Sequence, residues 1–235
     1  MAERWNEIAS FGTQIHSTHN SNERAAAATH PDFSVNTTQG SRQASSRYCT
    51  DCGRALKACL CAHLPRIDNP TALLVLQHPN EATHPKGTAH LLTGSLRRAE
   101  LRVGDDWERD NTLMAALTAS PHYLLWPDET AQPLSALPAE PAARFVLLDG
   151  TWRKCYRMLM ENPTLAALPR VAIAPRRGHY QIRKAPFDGA LSTLEAGYHL
   201  LCEWEGESAR YAPLWRLFER FNAQWLAFSQ AKRGE

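Results

Sequence analysis

The chain has 235 residues, 43% hydrophobic and 21% charged, which suits one sizeable domain with extras and leaves too little for two full ones. Its net charge of +2 excludes a global polycation, so any nucleic-acid surface must be a local patch. No apolar run reaches membrane-spanning length, and Met1-Ala2-Glu3-Arg4-Trp5 lacks the apolar core of a secretion signal, which places the protein in the cytoplasm with no membrane partner.

Residues 1–46 are polar and weakly patterned, and the composition predicts a disordered tail. Its histidines, His16, His19 and His30, have no metal-ligand spacing. Residues 47–66 follow as a small module built on Cys49, Cys52, Cys59 and Cys61, a C-x2-C-x6-C-x-C pattern with Gly53 at the turn. Four thiolates so closely spaced suit one tetrahedral zinc ion. With the coordination sphere filled by sulfur the ion would be structural, and His63 is not needed as a ligand.

Residues 67–235 then read as an α/β domain. Thr71-Ala72-Leu73-Leu74-Val75-Leu76 predicts a buried strand ending in Gln77-His78-Pro79-Asn80-Glu81. Gly87 to Arg98 predicts a helix, and His122 to Trp126 a short strand. Phe145-Val146-Leu147-Leu148 is a further buried strand, broken by Asp149-Gly150. From Trp152 the apolar positions Trp152, Cys155, Tyr156, Leu159 and Met160 recur at helical spacing, with Arg153, Lys154 and Arg157 on the other side. Asp149 therefore sits where a strand ends and a helix begins, outside the carboxyl end of the sheet, where open α/β folds bind ligands. Two other readings compete there. Asp149 and Thr151 are also natural turn and cap residues. Asp-Gly-Thr after a strand resembles the acidic loop of haloacid-dehalogenase-like phosphohydrolases, but Leu147 stands where their nucleophile would be.

Arg170 to Ala174 predicts another strand, followed by a loop rich in cations: Arg176, Arg177, His179, Arg183 and Lys184, with Tyr180 among them. Such a loop suits phosphate contact and base stacking, and it joins Arg153, Lys154 and Arg157 in one basic patch if the preceding strands lie side by side. Ser192 and Glu195 fit a capping box at the start of the next helix, which can also receive an anion. A last helix after Pro213 places Leu214, Leu217, Phe218, Phe221, Trp225 and Phe228 on one face. Cys155 and Cys202 read as buried thiols. The alternation of strands and helices argues for a mostly parallel sheet covered on both faces.

Taken in order, the cysteine cluster, Gln77-His78-Pro79-Asn80-Glu81, Asp149-Gly150-Thr151-Trp152, Tyr180-Gln181-Ile182-Arg183-Lys184 and Ser192-Thr193-Leu194-Glu195-Ala196 resemble the DTW-domain family over Tyr48 to Phe228. Bacterial members with such a cluster are tRNA-uridine aminocarboxypropyltransferases. The resemblance implies a SPOUT-like fold with a C-terminal knot. It implies S-adenosylmethionine as co-substrate, tRNA as partner, and transfer of the 3-amino-3-carboxypropyl group to N3 of uridine 47 in the variable loop, leaving methylthioadenosine. On the same basis Asp149, Thr151 and Trp152 would be catalytic. Gln77, His78, Glu81, Leu148, Gly150, Ser192, Thr193 and Glu195 would line the cofactor side, and Arg153, Lys154, Arg157, Arg176, Arg177, Tyr180, Arg183 and Lys184 would meet RNA. The zinc module would grip folded tRNA by shape, and a monomer is favoured. A SPOUT-type methyltransferase and a non-catalytic zinc-containing RNA-binding protein remain alternatives, separated by the reaction by-product.

Overall fold

Apolar runs bounded by polar turns become six parallel strands in the computed structural model, which describes residues 47–138, 143–175, 178–180 and 190–231. The strands are β1 (Ala72–Gln77), β2 (Ala99–Val103), β3 (His122–Leu125), β4 (Gln132–Pro133), β5 (Arg144–Asp149) and β6 (Arg170–Ala172). Their order across the sheet is β2-β1-β5-β3-β6-β4, and every pairing is parallel. The helices are α1 (Pro79–Ala82), α2 (Ala89–Ser95), α3 (Asn111–Ala119), α4 (Trp152–Glu161), α5 (Pro163–Ala166), α6 (Thr193–Glu205) and α7 (Ser208–Ala231). The α/β class and the parallel sheet expected from the sequence are both present.

Because successive side chains of a strand point to opposite faces, the sheet divides its apolar residues into two layers. Leu73 and Val75 of β1 and Phe145 and Leu147 of β5 join a layer with Leu91 and Leu92 of α2, Leu200 of α6 and Leu214, Phe218 and Phe221 of α7. Leu74, Leu76 and Val146 face the other way, onto Leu113 of α3, Met158 and Leu159 of α4 and Leu165 of α5. Each of these large side chains that is wholly buried contributes about 1.5–3 kcal/mol. Strands apolar on both faces follow from this three-layer arrangement.

Adjacent strands β1 and β5 send their connections in opposite directions across the sheet, β1 toward β2 and β5 toward β6. A crevice opens at such a switch point, outside the carboxyl ends of the two strands. Gln77 and Asp149 are register partners there, the last residues of their strands.

Several boundaries differ from the sequence expectation. The helix expected over Gly87 to Arg98 spans only Ala89–Ser95, and Ala99–Val103, for which no element was expected, forms the edge strand β2, whose Glu100 and Val103 are exposed. Helix α3, capped by the Asp110 carboxylate, was not anticipated. The strand at Arg170 ends at Ala172, not Ala174. The last helix begins at Ser208 and carries Pro213 inside it, where burial of Tyr211 and Leu214 on either side offsets the missing backbone donor. Within α4, Met158 is buried in place of the expected Met160, which is 53% exposed, and Cys202 is only partly buried. Strands β5 and β6 are not neighbours, because β3 lies between them. The two basic segments therefore do not follow adjacent strands. The tail over residues 1–46 and the loop residues Arg176, Arg177, Arg183 and Lys184 lie outside the described residues.

Candidate functional site at the carboxyl ends of two central strands

The Asp149 carboxylate is buried and held by side chains from two other elements. Gln77 Nε2 donates to Oδ2 at 2.7 Å, and Thr193 Oγ1, in the first residue of α6, donates to Oδ1. The backbone supports the same junction, since His78 N–H donates to the Asp149 carbonyl at 3.0 Å. A carboxylate gripped through both oxygens has its plane fixed, which is what orienting a bound group requires. Thr151 acts as the cap of α4, its hydroxyl accepting from Lys154 N–H at 3.4 Å, so the cap expectation holds for Thr151. Asp149 does more than serve the turn, since Gln77 of β1 and Thr193 of α6 both donate to its carboxylate.

The loop after β1 is tied to α4 by a pair between Lys154 Nζ and the buried Glu81 carboxylate at 2.7 Å. His78 caps the short α1 through Nδ1, accepting from Asn80 N–H. Gly150 passes between these elements so closely that a Cβ would lie 3.2 Å from Cys155 Sγ and 3.3 Å from Lys154 Cβ. Burial pushes the Cys155 thiol up to about 12, with the Asp149 and Glu81 carboxylates adding to the shift, so it stays a protonated thiol and no nucleophile. Leu148 packs on the second apolar layer, and Trp152 sets its ring edge against Trp126 at 5.1 Å between centroids.

At the start of α6 the expected capping box is present, with Ser192 Oγ accepting from Glu195 N–H and Glu195 Oε2 accepting from Ser192 N–H at 2.8 Å. Glu195 also accepts from His179 N–H, which ties the loop after β6 to this helix start. Thr88, which sequence reasoning missed, adds a second tie, its hydroxyl accepting from Leu194 N–H at 3.2 Å. Among the expected RNA contacts, Arg153 is exposed, Arg157 is exposed beside Glu161, and Lys154 is engaged with Glu81. Tyr180 turns inward: its hydroxyl donates to the Lys86 carbonyl and its ring stacks against Phe218 and Phe221.

The cysteine segment carries the four sulfurs of Cys49, Cys52, Cys59 and Cys61 within 4.8 Å of one another. Cys49 and Cys61 are separated by 3.9 Å and Cys52 and Cys59 by 3.8 Å. A tetrahedron of zinc–sulfur bonds of about 2.3 Å has edges of about 3.8 Å, so this donor set fits the ion. Gly53, at φ +66°, makes the turn after the second cysteine, a backbone that a side chain would strain. The exposed His63 is no part of the cluster; the histidine beside it is His90 of α2, with Nε2 3.7 Å from Cys61 Sγ. That contact spans 29 residues of sequence and no local spacing signals it.

Comparison with known proteins adds to this geometry. Residues 46–226 match the DTW domain. The tRNA-uridine aminocarboxypropyltransferase 2 of Macaca fascicularis is 29% identical over 158 residues, 63% of this chain and 53% of that protein. The protein of the same name from Drosophila melanogaster is 30% identical over 166 residues, covering 67% of this chain and 66% of its own. The tRNA-uridine aminocarboxypropyltransferase A of Arabidopsis thaliana is 26% identical over 181 residues, 63% and 69% of the two chains. The chain thus spans about half the length of the first relative and about two thirds of the others. No solved structure matches it.

Proposed function

This chain belongs to the DTW-domain family, and from that premise we propose that it transfers the 3-amino-3-carboxypropyl group of S-adenosylmethionine to N3 of a tRNA uridine. The observation that carries the reading is the buried Asp149 carboxylate, aligned through both oxygens by Gln77 and Thr193 at the carboxyl end of the sheet. The names of the relatives supply the reaction class.

The sulfonium of the donor carries three carbons, and the one attacked is set by how it is aimed at the nucleophile. Uridine N3 is a weak nucleophile until its proton leaves. Asp149 takes the N3 proton as base, or accepts a hydrogen bond from N3–H and orients the ring while the proton passes to water. The N3 lone pair forms a bond to the methylene carbon of the aminocarboxypropyl arm, the carbon–sulfur bond breaks with its electrons staying on sulfur, and methylthioadenosine departs. Thr151 and Trp152 shape the wall beside Asp149. Gln77, His78, Glu81, Leu148, Gly150, Ser192, Thr193 and Glu195 form the donor side, several of them by holding loops in place. Arg153, Arg157, Arg176, Arg177, Arg183 and Lys184 belong to the tRNA side in this reading, while Tyr180 and Lys154, expected there as well, act from within by holding the loop after β6 and the loop after β1. The four cysteines hold a structural zinc ion, the fold is of the knotted SPOUT kind, and the protein works in the cytoplasm as a monomer on uridine 47.

The test is incubation of the full chain with S-adenosylmethionine and an unmodified tRNA transcript, reading nucleoside mass and small-molecule product together. An aminocarboxypropyl adduct with equimolar methylthioadenosine is expected. A methyl adduct with S-adenosylhomocysteine makes it a methyltransferase; tight tRNA binding with no adduct makes it a binding protein.

A further inference from the structure

A cavity of about 840 Å³ opens between the cysteine segment, the loop after β1, the edge strand β2 and the end of α7. Its volume lies in the range of sites that hold small organic groups, about 300–1,000 Å³. Tyr48, Trp225 and Phe228 line it with aromatic rings, and Arg54 and Lys57 line it with cations. Lys57 Nζ lies 5.9 Å from the Phe228 centroid, and Lys86, which is not part of the lining, places Nζ 5.7 Å from that of Trp225. Tyr48 is 61% exposed. Arg54 Nη1 and Trp225 Nε1 are buried donors without a hydrogen-bond partner among the described residues. Gln77 lines the same cavity and donates to Asp149, so the cavity adjoins the proposed reaction centre.

We propose that this cavity receives an unstacked nucleotide of the RNA substrate, next to but distinct from the uridine at Asp149. The inference rests on the tRNA reading above. Single-stranded RNA is bound by aromatic faces that stack bases, with cations beside them for the phosphates. The wall also carries the carboxylates of Asp51 and Glu81, the latter paired with Lys154. Net charge at the wall is thus small, so base stacking supplies the recognition and phosphate attraction comes second.

The experiment compares the full chain with its Tyr48→Ala/Phe228→Ala double variant and with Lys57→Ala. Affinity for an unmodified tRNA transcript at fixed salt, affinity for S-adenosylmethionine and melting temperature are read in parallel. The double variant should bind tRNA about tenfold more weakly or worse, and Lys57→Ala less severely, with donor affinity unchanged. Equal tRNA affinity in all three proteins overturns the cavity assignment, and leaves the function standing if the parent still forms the adduct. A parent that neither binds nor modifies tRNA overturns both. Loss of donor affinity with tRNA binding intact gives the cavity to the donor and also overturns it. Should the double variant fold poorly, photocrosslinking of the parent to tRNA containing 4-thiouridine decides the matter. Crosslinks in peptides containing Tyr48, Trp225 or Phe228 support the proposal, and crosslinks elsewhere only refute it.

Discussion

The Asp149 junction and the cysteine segment are held together by opposite means. Asp149 meets Gln77 from 72 residues away and Thr193 from 44 residues away, and all three sit on regular elements packed into the core. The four cysteines fall within a 12-residue separation, on a segment whose two short 3-10 turns, Leu56–Ala58 and Cys61–His63, bury no residue of their own. Only Arg54 and Leu60 of that segment are buried, Arg54 lying 5.0 Å from the Phe221 ring centroid. The sheet itself fixes the junction, whereas the segment, with so little core of its own, would depend on the zinc ion proposed for it. Structural zinc supplies about 10 kcal/mol or more to such segments. Chelation, or Cys52→Ala with Cys59→Ala, should therefore release one zinc per chain and open residues 47–63 to trypsin at Arg47, Arg54 and Lys57, while S-adenosylmethionine still binds. Unchanged proteolysis after metal loss would show that packing alone holds the segment.

Thiol chemistry sharpens the same contrast. Cys155 has its thiol raised from 9.0 to about 12, first by burial. The folded chain keeps a proton that the unfolded chain releases near 9. This group's contribution to stability is thus complete below that pH and lost as pH rises toward 12. At pH 8, iodoacetamide should label the metal-stripped, opened cysteine segment well before the buried Cys155. Comparable labelling of Cys155 in the folded protein would mean that the α4 face opens in solution.

Next in size is Asp149→Ala, expected to lower the rate of aminocarboxypropyl transfer about a hundredfold or more with zinc content unchanged. An unaltered rate would remove Asp149 from the mechanism. Gln77→Leu keeps the carboxylate but strips the donor from Oδ2, leaving a buried acceptor short of a partner. Chemical denaturation should show a loss of about 1–3 kcal/mol. A neutral result would mean that water replaces the amide at that oxygen.

Much of this was legible locally. Apolar runs marked β1, β3 and β5, Thr151 and Ser192 marked the starts of α4 and α6, and the cysteine spacing marked the cluster. Strand β2 is missed because Ala99 counts with the apolar spacing of Leu91, Leu92 and Leu96 and nothing is assigned beyond it, although the alternation with Glu100 and Arg102 fits an edge strand. Helix α3 had a readable Asp110 cap that went unused. What sequence could not carry was register. Gln77 opposite Asp149, Thr193 on Oδ1, His90 beside Cys61 and Trp225 beside the cysteine segment all arise from pairing between distant stretches, for which no local spacing stands in.

The smallest effect expected is at Ser192. Its hydroxyl accepts from Glu195 N–H at 3.3 Å, and the next residue, Thr193, is the one that grips Asp149. Ser192→Ala removes one half of the capping box while Glu195 keeps its bond to Ser192 N–H, so the helix start should fray without detaching. The cost is about 1 kcal/mol, or about 2–4 °C in melting temperature for a domain of this size. Transfer rate should fall modestly and together with stability, since Thr193 loses only some of its alignment. Restoring the cap with Ser192→Thr should recover both. A large rate loss at unchanged melting temperature would separate the two, and would mean that Ser192 touches the donor directly instead of building the helix end that positions Thr193.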